Sequence, residues 1–262
     1  MKKGPEPRSS LREKAEGLRG GAPRVTLVMD PEQLRGTEVE VSGEAYRHLF
    51  RARRLPVDAP LRLVDGQGQA RWGRVSAVDR RSAMLILEGP APSGDPSRPV
   101  TLLVAPPRSQ RASWLVEKAT ELGAKRILFL ATERSQPSGG QGWLQRLQRV
   151  AVAALEQCHG ATLPRLEGPL SLGGAIAETQ RAEVPHRVLL HPAVSGQPVR
   201  PEEWGETQAV AWAIGPEGGW STQEIEELRE ADFRPLSLGP RILRVETAVA
   251  AALSLSSLAS GT

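Results

Sequence analysis

Two short stretches near the C-terminus hold residue types from which a reaction could be built. They are "AIGPEGGW" (213–220) and "LGPRILRVETA" (238–248). Each has a Gly-Pro pair directly after an apolar run, and each leads into a helix-forming pattern. In the first, Gly215, Gly218 and Gly219 let backbone approach a ligand closely. Ser221 and Glu224 then form an S-x-x-E capping box that opens a helix. Alone, this stretch reads more readily as a tight turn. The second stretch shifts the balance. Gly239-Pro240 forces a turn, Ile242 and Leu243 are apolar residues in a loop and must cover something, and Arg241 and Arg244 flank them. Arginine beside a reacting atom stabilises a developing anion. Arg244 is the first candidate for that role and Arg241 stands behind it; the alternative for both is a structural or phosphate-binding role. Glu217 and Glu246 are available carboxylates, but each sits at a helix start, where a structural role competes. The general base is therefore unassigned.

The same loops exclude some chemistry. Neither G-x-G-x-x-G nor G-x-x-x-x-G-K-[ST] occurs in the chain, and Glu217 would repel a phosphate. A ligand without phosphates suits the site better. The single cysteine, Cys158, excludes an intramolecular disulfide and a cysteine-based metal cluster, and no metal site is expected. Cys158 and His159 are adjacent, so on a helix they point about 100° apart. They read as a helix C-terminus ended by Gly160.

The elements that must position these loops begin near residue 100. "VTLLVA" (100–105), "RILFL" (126–130), "RVLLH" (187–191), "AVAWAI" (209–214) and "RPLSL" (234–238) are short apolar strands. "QRASWLVEKATELGA" (110–124) reads as a helix with Trp114, Leu115, Ala119 and Leu122 on its buried side and Gly123 as its stop. "WLQRLQRVAVAALEQC" (143–158) is another. The alanine-rich stretch after Glu246 predicts a helix that is buried or at an interface. Strands apolar on both faces and alternating with helices predict an α/β domain with a mainly parallel sheet. Such sheets bind ligands at the carboxyl ends of their strands. That directs attention to "HPAVSG" (191–196), "GPEGG" (215–219) and "GPRILRVE" (239–246).

Upstream, residues 23–90 read as mostly β, with "LRLVD" (61–65) and "ARWGRVSAV" (70–78) flanking the turn signal "GQG" and "AMLILE" (83–88) following. "SGEAYRHLFRARRL" (42–55) predicts a short helix with Ser42 as a possible N-cap and Arg47, Arg51 and Arg54 on one face. A small barrel carrying a basic helix suits RNA; a solvated helix face is the plainer alternative. The stretch 91–99 lies within a run of four prolines in eleven residues (89–99) and is placed as a linker. Residues 1–22, with six Lys or Arg against three Glu, read as a disordered basic arm.

The 262 residues carry a formal net charge of +4, with 34 Lys plus Arg and 30 Asp plus Glu. The basic residues are mostly arginine, which is a hint of nucleic acid, although a GC-rich genome gives the same bias. No apolar run is long enough to span a bilayer and no signal peptide is visible, so the cytoplasm is expected.

The order "EKATELGA…TERS…EQC…LLHP…IGPEGG…LGPRILRVETA" resembles the RsmE-type methyltransferases of the SPOUT superfamily, and the resemblance extends over about residues 24–258. It implies a fold class of α/β with a C-terminal SPOUT domain (100–262) containing a deep trefoil knot, plus an N-terminal PUA-like barrel. It implies S-adenosylmethionine as cofactor. Its binding residues would be Leu190, His191, Ile214, Gly215, Pro216, Glu217, Gly218, Gly219, Leu236, Ser237, Leu238, Gly239, Ile242, Leu243 and Thr247. The implied activity is methylation of uridine N3 in small-subunit (16S) ribosomal RNA by a homodimer acting on rRNA or the assembled 30S subunit, without metal or membrane. Arg51, Arg54, Arg108, Arg111 and Arg134 are candidates for RNA phosphate contacts. Two departures from the family pattern fall on probable RNA-facing surface. Many relatives have an arginine where this chain has Gly160, and "RSQRAS" (108–113) replaces a run that usually starts with lysine. Other readings are a SPOUT enzyme acting on another RNA position, such as a ribose 2′-oxygen or a tRNA guanine, and an RNA-binding assembly factor without catalysis.

Overall fold

The computed structural model describes residues 25–135, 142–191, 204–205 and 207–258. The basic arm and most of the 191–196 loop lie outside the described residues. The chain divides into two compact units. Up to Pro92 it forms the first, apart from Gly66–Gly68, which group with the second, from Ser93 onward. The proline-rich stretch thus divides at Pro92. Asp95 accepts hydrogen bonds from the Ala161 and Thr162 amides at 2.8 and 3.2 Å, and Arg98 is buried. Both residues are anchored parts of the second unit.

The first unit is a five-stranded sheet. Its strands are β1 (Thr26–Val28), β2 (Glu38–Ser42), β3 (Pro60–Val64), β4 (Ala70–Val78) and β5 (Ser82–Pro90), in the order β1-β3-β4-β5-β2. Alternation along each strand delivers Leu27, Val39, Val41, Leu61, Leu63, Val75, Leu85 and Leu87 to one core, which Tyr46, Leu49 and Phe50 complete. These three aromatic and aliphatic residues come from α1 (Gly43–Tyr46), which continues as a π-helix over Arg47–Ala52. That geometry overturns the expected arginine face. The wider turn breaks the i, i+4, i+7 relation, and Arg54 lies beyond the helix at φ 53°. Ser42 makes no side-chain cap. Arg51 and Arg54 are both exposed, and the Arg51 guanidinium donates to the Arg80 carbonyl at 2.8 Å.

The second unit is a three-layer α/β/α sandwich. Its strands are β6 (Val100–Val104), β7 (Arg126–Ala131), β8 (Arg165–Ser171), β9 (His186–Leu190), β10 (Val210–Ile214) and β11 (Arg234–Leu236). They run in the order β11-β9-β10-β6-β7-β8, every neighbouring pair parallel. Side-chain alternation splits the sheet's two faces. Val100, Leu102, Val104, Ile127, Phe129, Val188, Val210, Trp212 and Ile214 meet α2 (Ser109–Glu121), α3 (Trp143–Cys158) and α6 (Val245–Leu258). Leu103, Leu128, Leu130, Leu189, Ala211 and Ala213 meet α4 (Leu172–Arg181) and α5 (Thr222–Glu230). Both faces are apolar because both are covered.

Three local readings need correction. The buried stripe of α2 is Ala112, Leu115, Val116 and Ala119, at i, i+3, i+4 and i+7, while Trp114 is turned outward and half exposed. Gly160 does not terminate α3; His159 does, in the left-handed conformation at φ 61°. β8 and α4 escaped the sequence reading, because β8 is an edge strand of mixed polarity and α4 opens with two glycines. Gly123, by contrast, follows α2 at φ 75° as a stop.

On β7, Arg126 pairs with Glu167 at 2.6 Å and with Glu178, which Arg181 also contacts. The hydrogen bond from Arg126 is the main cause that holds the Glu178 carboxyl below its ordinary value of 4.5. A depressed folded pKa gives stability that is complete above the unfolded value and lost as pH falls through the folded one. Thermal unfolding followed from about pH 6 to about pH 3 should therefore show a steeper loss for wild type than for Arg126→Met, and equal slopes would refute the assignment.

Candidate active site at the ends of three strands

The carboxyl ends of β9, β10 and β11 lie side by side and are tied to their surroundings. The His191 amide donates to the Leu236 carbonyl at 3.1 Å, and the Ala105 amide to the Ile214 carbonyl at 3.1 Å. Residues at these strand ends and in the loops after β10 and β11 line a cavity of about 520 Å³, within the range of small-ligand sites. Its lining includes Leu190 and His191 from the first loop, Ile214, Gly215, Pro216, Glu217, Gly218 and Gly219 from the second, and Leu236, Ser237, Leu238, Gly239, Ile242 and Leu243 from the third. Arg241 and Arg244 join them. Of the expected pocket residues, only Thr247 is outside the lining; it is exposed on the first turn of α6.

Each loop is shaped by local chemistry. In the second, the Gly219 amide closes a turn onto the Pro216 carbonyl at 2.8 Å, and Gly219 has φ 72°, a conformation in which a side chain is strained. A Cβ on Gly215 would lie 2.9 Å from the Trp220 ring, so the indole packs where a side chain would stand. The capping box forms: the Ser221 hydroxyl accepts from the Glu224 amide at 3.3 Å, and the Glu224 carboxylate accepts from the Ser221 amide at 2.8 Å. The other Glu224 oxygen accepts from the Glu133 amide at 2.9 Å, which pins the segment after β7 to the start of α5. In the third loop, Ser237 braces its own turn. Its hydroxyl donates to the Gly239 carbonyl at 3.0 Å and accepts from the Gly239 amide at 3.3 Å.

The five RNA candidates separate by position. Arg51, Arg54 and Arg108 are exposed. Arg134 lines the pocket and donates to the Gly218 carbonyl at 3.2 Å and the Trp220 carbonyl at 3.4 Å, so it braces the second loop. Arg111 lies 3.6 Å from Glu217 and 3.7 Å from Glu246. Ile242 lines the mouth yet is 89% exposed, while Leu243 packs on the core. Sequence reasoning missed Trp220, Val245 and Ala248 in the lining. Trp220 follows the glycine turn directly, and its bulk beside Gly215 was the available signal. Among the described residues no group of three or more His, Cys, Asp or Glu could hold a metal, and no helix is long and apolar enough to cross a membrane.

The donor set fits S-adenosylmethionine. The walls are mostly apolar side chains and loop backbone, which suit an adenosine, and beside Arg134, Arg241 and Arg244 they carry one carboxylate, Glu217, that a sulfonium would complement. Comparison with known proteins agrees. A family described as RNA methyltransferase domain matches residues 95–257. The ribosomal RNA small subunit methyltransferase E of Synechocystis sp. is 31% identical over 231 residues, 87% of this chain and 75% of that protein. The Neisseria gonorrhoeae enzyme of the same name, solved with S-adenosyl methionine bound, superposes with a TM-score of 0.74 at 25% identity, covering 89% of this chain and 96% of that one. A Legionella pneumophila methyltransferase solved with SAM superposes at 0.72 with 28% identity, covering 91% and 98%. The alternation of parallel strands and helices, the three-walled pocket at their ends and these similarities place the chain in the ribosomal RNA small subunit methyltransferase E family.

Proposed function

We propose that this protein methylates N3 of a uridine in small-subunit (16S) ribosomal RNA, using S-adenosylmethionine. The observation that carries this is one pocket lined by residues from all three strand ends, with Arg241 and Arg244 among them. Leu190, Ile214, Leu236, Leu238 and Leu243 would hold the adenosine, and Glu217 would face the sulfonium. When bound, the cofactor supplies an electrophilic methyl group. The protein must align a uracil edge with it, and positioning alone lowers such barriers substantially. N3 of uracil is protonated at neutral pH, so Arg244 is assigned to stabilise the anion formed as the proton leaves. Arg241 supports it. Of the two nearby carboxylates, Glu217 lines the pocket and Glu246 does not.

Arg51, Arg54 and Arg108 are assigned to RNA phosphates. The first unit would serve as a PUA-like RNA-binding barrel; its five-stranded sheet around one apolar core supports that reading. The segment between β11 and α6 would thread a trefoil knot. In support, β11 lies at the sheet edge beside β9, whereas α6 packs onto β10, β6 and α2. A homodimer, acting in the cytoplasm on rRNA or the 30S subunit, completes the proposal; the exposed Trp114, Ile242 and Leu258 support it. Purified protein incubated with S-adenosylmethionine and 30S subunits from cells lacking the gene should generate 3-methyluridine, read by mass spectrometry of nucleosides. Persistence of 3-methyluridine in the rRNA of those cells would overturn the assignment.

A further inference from the structure

Arg111 is placed unlike the other described arginines of the second unit. It stands in the first turn of α2, and its guanidinium meets both principal walls of the pocket. Nη1 is 3.6 Å from Oε1 of Glu217, in the turn after β10, and Nε is 3.7 Å from Oε1 of Glu246, the second residue of α6. These are ion pairs without a direct hydrogen bond. The two carboxylates differ. Glu217 is 53% exposed, and alone its pair would contribute little. The Glu246 side chain is only 10% exposed, and its Oε2 is buried with no hydrogen-bond partner among the described residues. A buried carboxylate deprived of its cation is strongly unfavourable, so Arg111 and Glu246 are held together by more than surface attraction. With two carboxylates around one guanidinium, the cluster carries net negative charge. That disfavours a phosphate at Arg111.

We propose that Arg111 is a positioning residue for the cofactor pocket: it straps the Pro216–Gly219 turn and the start of α6 to α2, fixing the separation of the two walls. This deepens the assignment of S-adenosylmethionine to the pocket and rests on it. It also moves Arg111 out of the RNA-contacting set.

The test uses full-length protein with S-adenosylhomocysteine as the probe ligand. Arg111→Met should weaken its binding, by calorimetry, on the order of tenfold or more, and raise the KM for S-adenosylmethionine, while affinity for a 16S rRNA fragment stays within about twofold. Arg111→Lys keeps the charge but not the two-sided fork and should recover only part of the loss. Glu246→Gln combined with Arg111→Met should cost less than the sum of the single effects, as expected for residues in one cluster. Weakened RNA affinity with unchanged S-adenosylhomocysteine binding would overturn the strap and make Arg111 a phosphate contact; no change in either would overturn it outright. Should Arg111→Met fail to fold, Glu246→Gln, outside the pocket lining, takes its place with the same two readouts. If wild type does not bind S-adenosylhomocysteine, the cofactor assignment falls. Hydrogen exchange then decides the strap on its own: faster exchange across 237–245 in Arg111→Met supports it, and unchanged exchange overturns it.

Discussion

Replacing Arg244 by alanine is expected to lower kcat by about a hundred- to a thousandfold, the usual scale for losing one preorganised group that stabilises developing charge. S-adenosylhomocysteine affinity should change little, because the exposed Arg244 side chain belongs to the rim, and the cofactor walls are apolar side chains and backbone. On the proposed assignment the arginine would act where the uracil enters. Its residual activity should rise with pH, because a more alkaline medium supplies the uridine anion that the missing cation no longer favours. Arg241→Ala should show a smaller loss of kcat. Single-turnover methylation of 30S subunits across pH measures both effects. Equal losses in kcat and in cofactor affinity for Arg244→Ala would make it a wall residue instead.

The second large effect concerns stability. Trp212 on β10 is fully buried at the centre of the sheet, packs edge-on against Trp204 at 5.8 Å, and donates its Nε1 hydrogen to the Ser256 hydroxyl of α6 at 2.9 Å. Trp212→Ala combines lost apolar burial with a large cavity and should cost about 3–5 kcal/mol in urea unfolding. Trp212→Phe keeps most of the volume but leaves Ser256 without its donor, and about 1 kcal/mol is expected for that bond. A cost for Trp212→Ala no greater than for Trp212→Phe would show that the site collapses freely. Arg98 fastens the same helix, donating to the Ser256 carbonyl at 3.0 Å and lying 5.4 Å from the Trp204 ring centroid.

The strands were legible because their chemistry is uniform. "VTLLVA" and "AVAWAI" are apolar on both faces, and only a sheet covered on both sides demands that. The pocket was legible for a different reason. Gly-Pro pairs after strand ends mark sharp turns, and strand ends of parallel sheets hold ligands; the fourteen residues that the family resemblance then implied there do line one cavity. The family resemblance contributed the cofactor and the target atom, which neither spacing nor burial specifies. What escaped was set by tertiary context. Nothing local in "YRHLFRA" announces a π-helix, and nothing in "SQRASWL" shows that Arg111 faces two carboxylates about 106 and 135 positions later. Gly160 is similar. A Cβ there would meet the Leu155 side chain at 2.8 Å and the Asp95 carboxylate at 3.2 Å, so an arginine at this position would require both side chains to shift.

The strand order has one more consequence, which concerns time. The pocket needs β9, β10 and β11 side by side, yet the last wall and the helix that backs it come from the final quarter of the sequence. During synthesis the domain's first strands, β6 and β7, leave the ribosome long before β10, the second partner of β6, is made. They must wait for it with an apolar surface uncovered. A nascent chain therefore has no cofactor site until α6 has emerged and Ser256 has reached Trp212 and Arg98. The capacity to bind ligand arrives only once α6 is made, together with the long-range contacts of that helix.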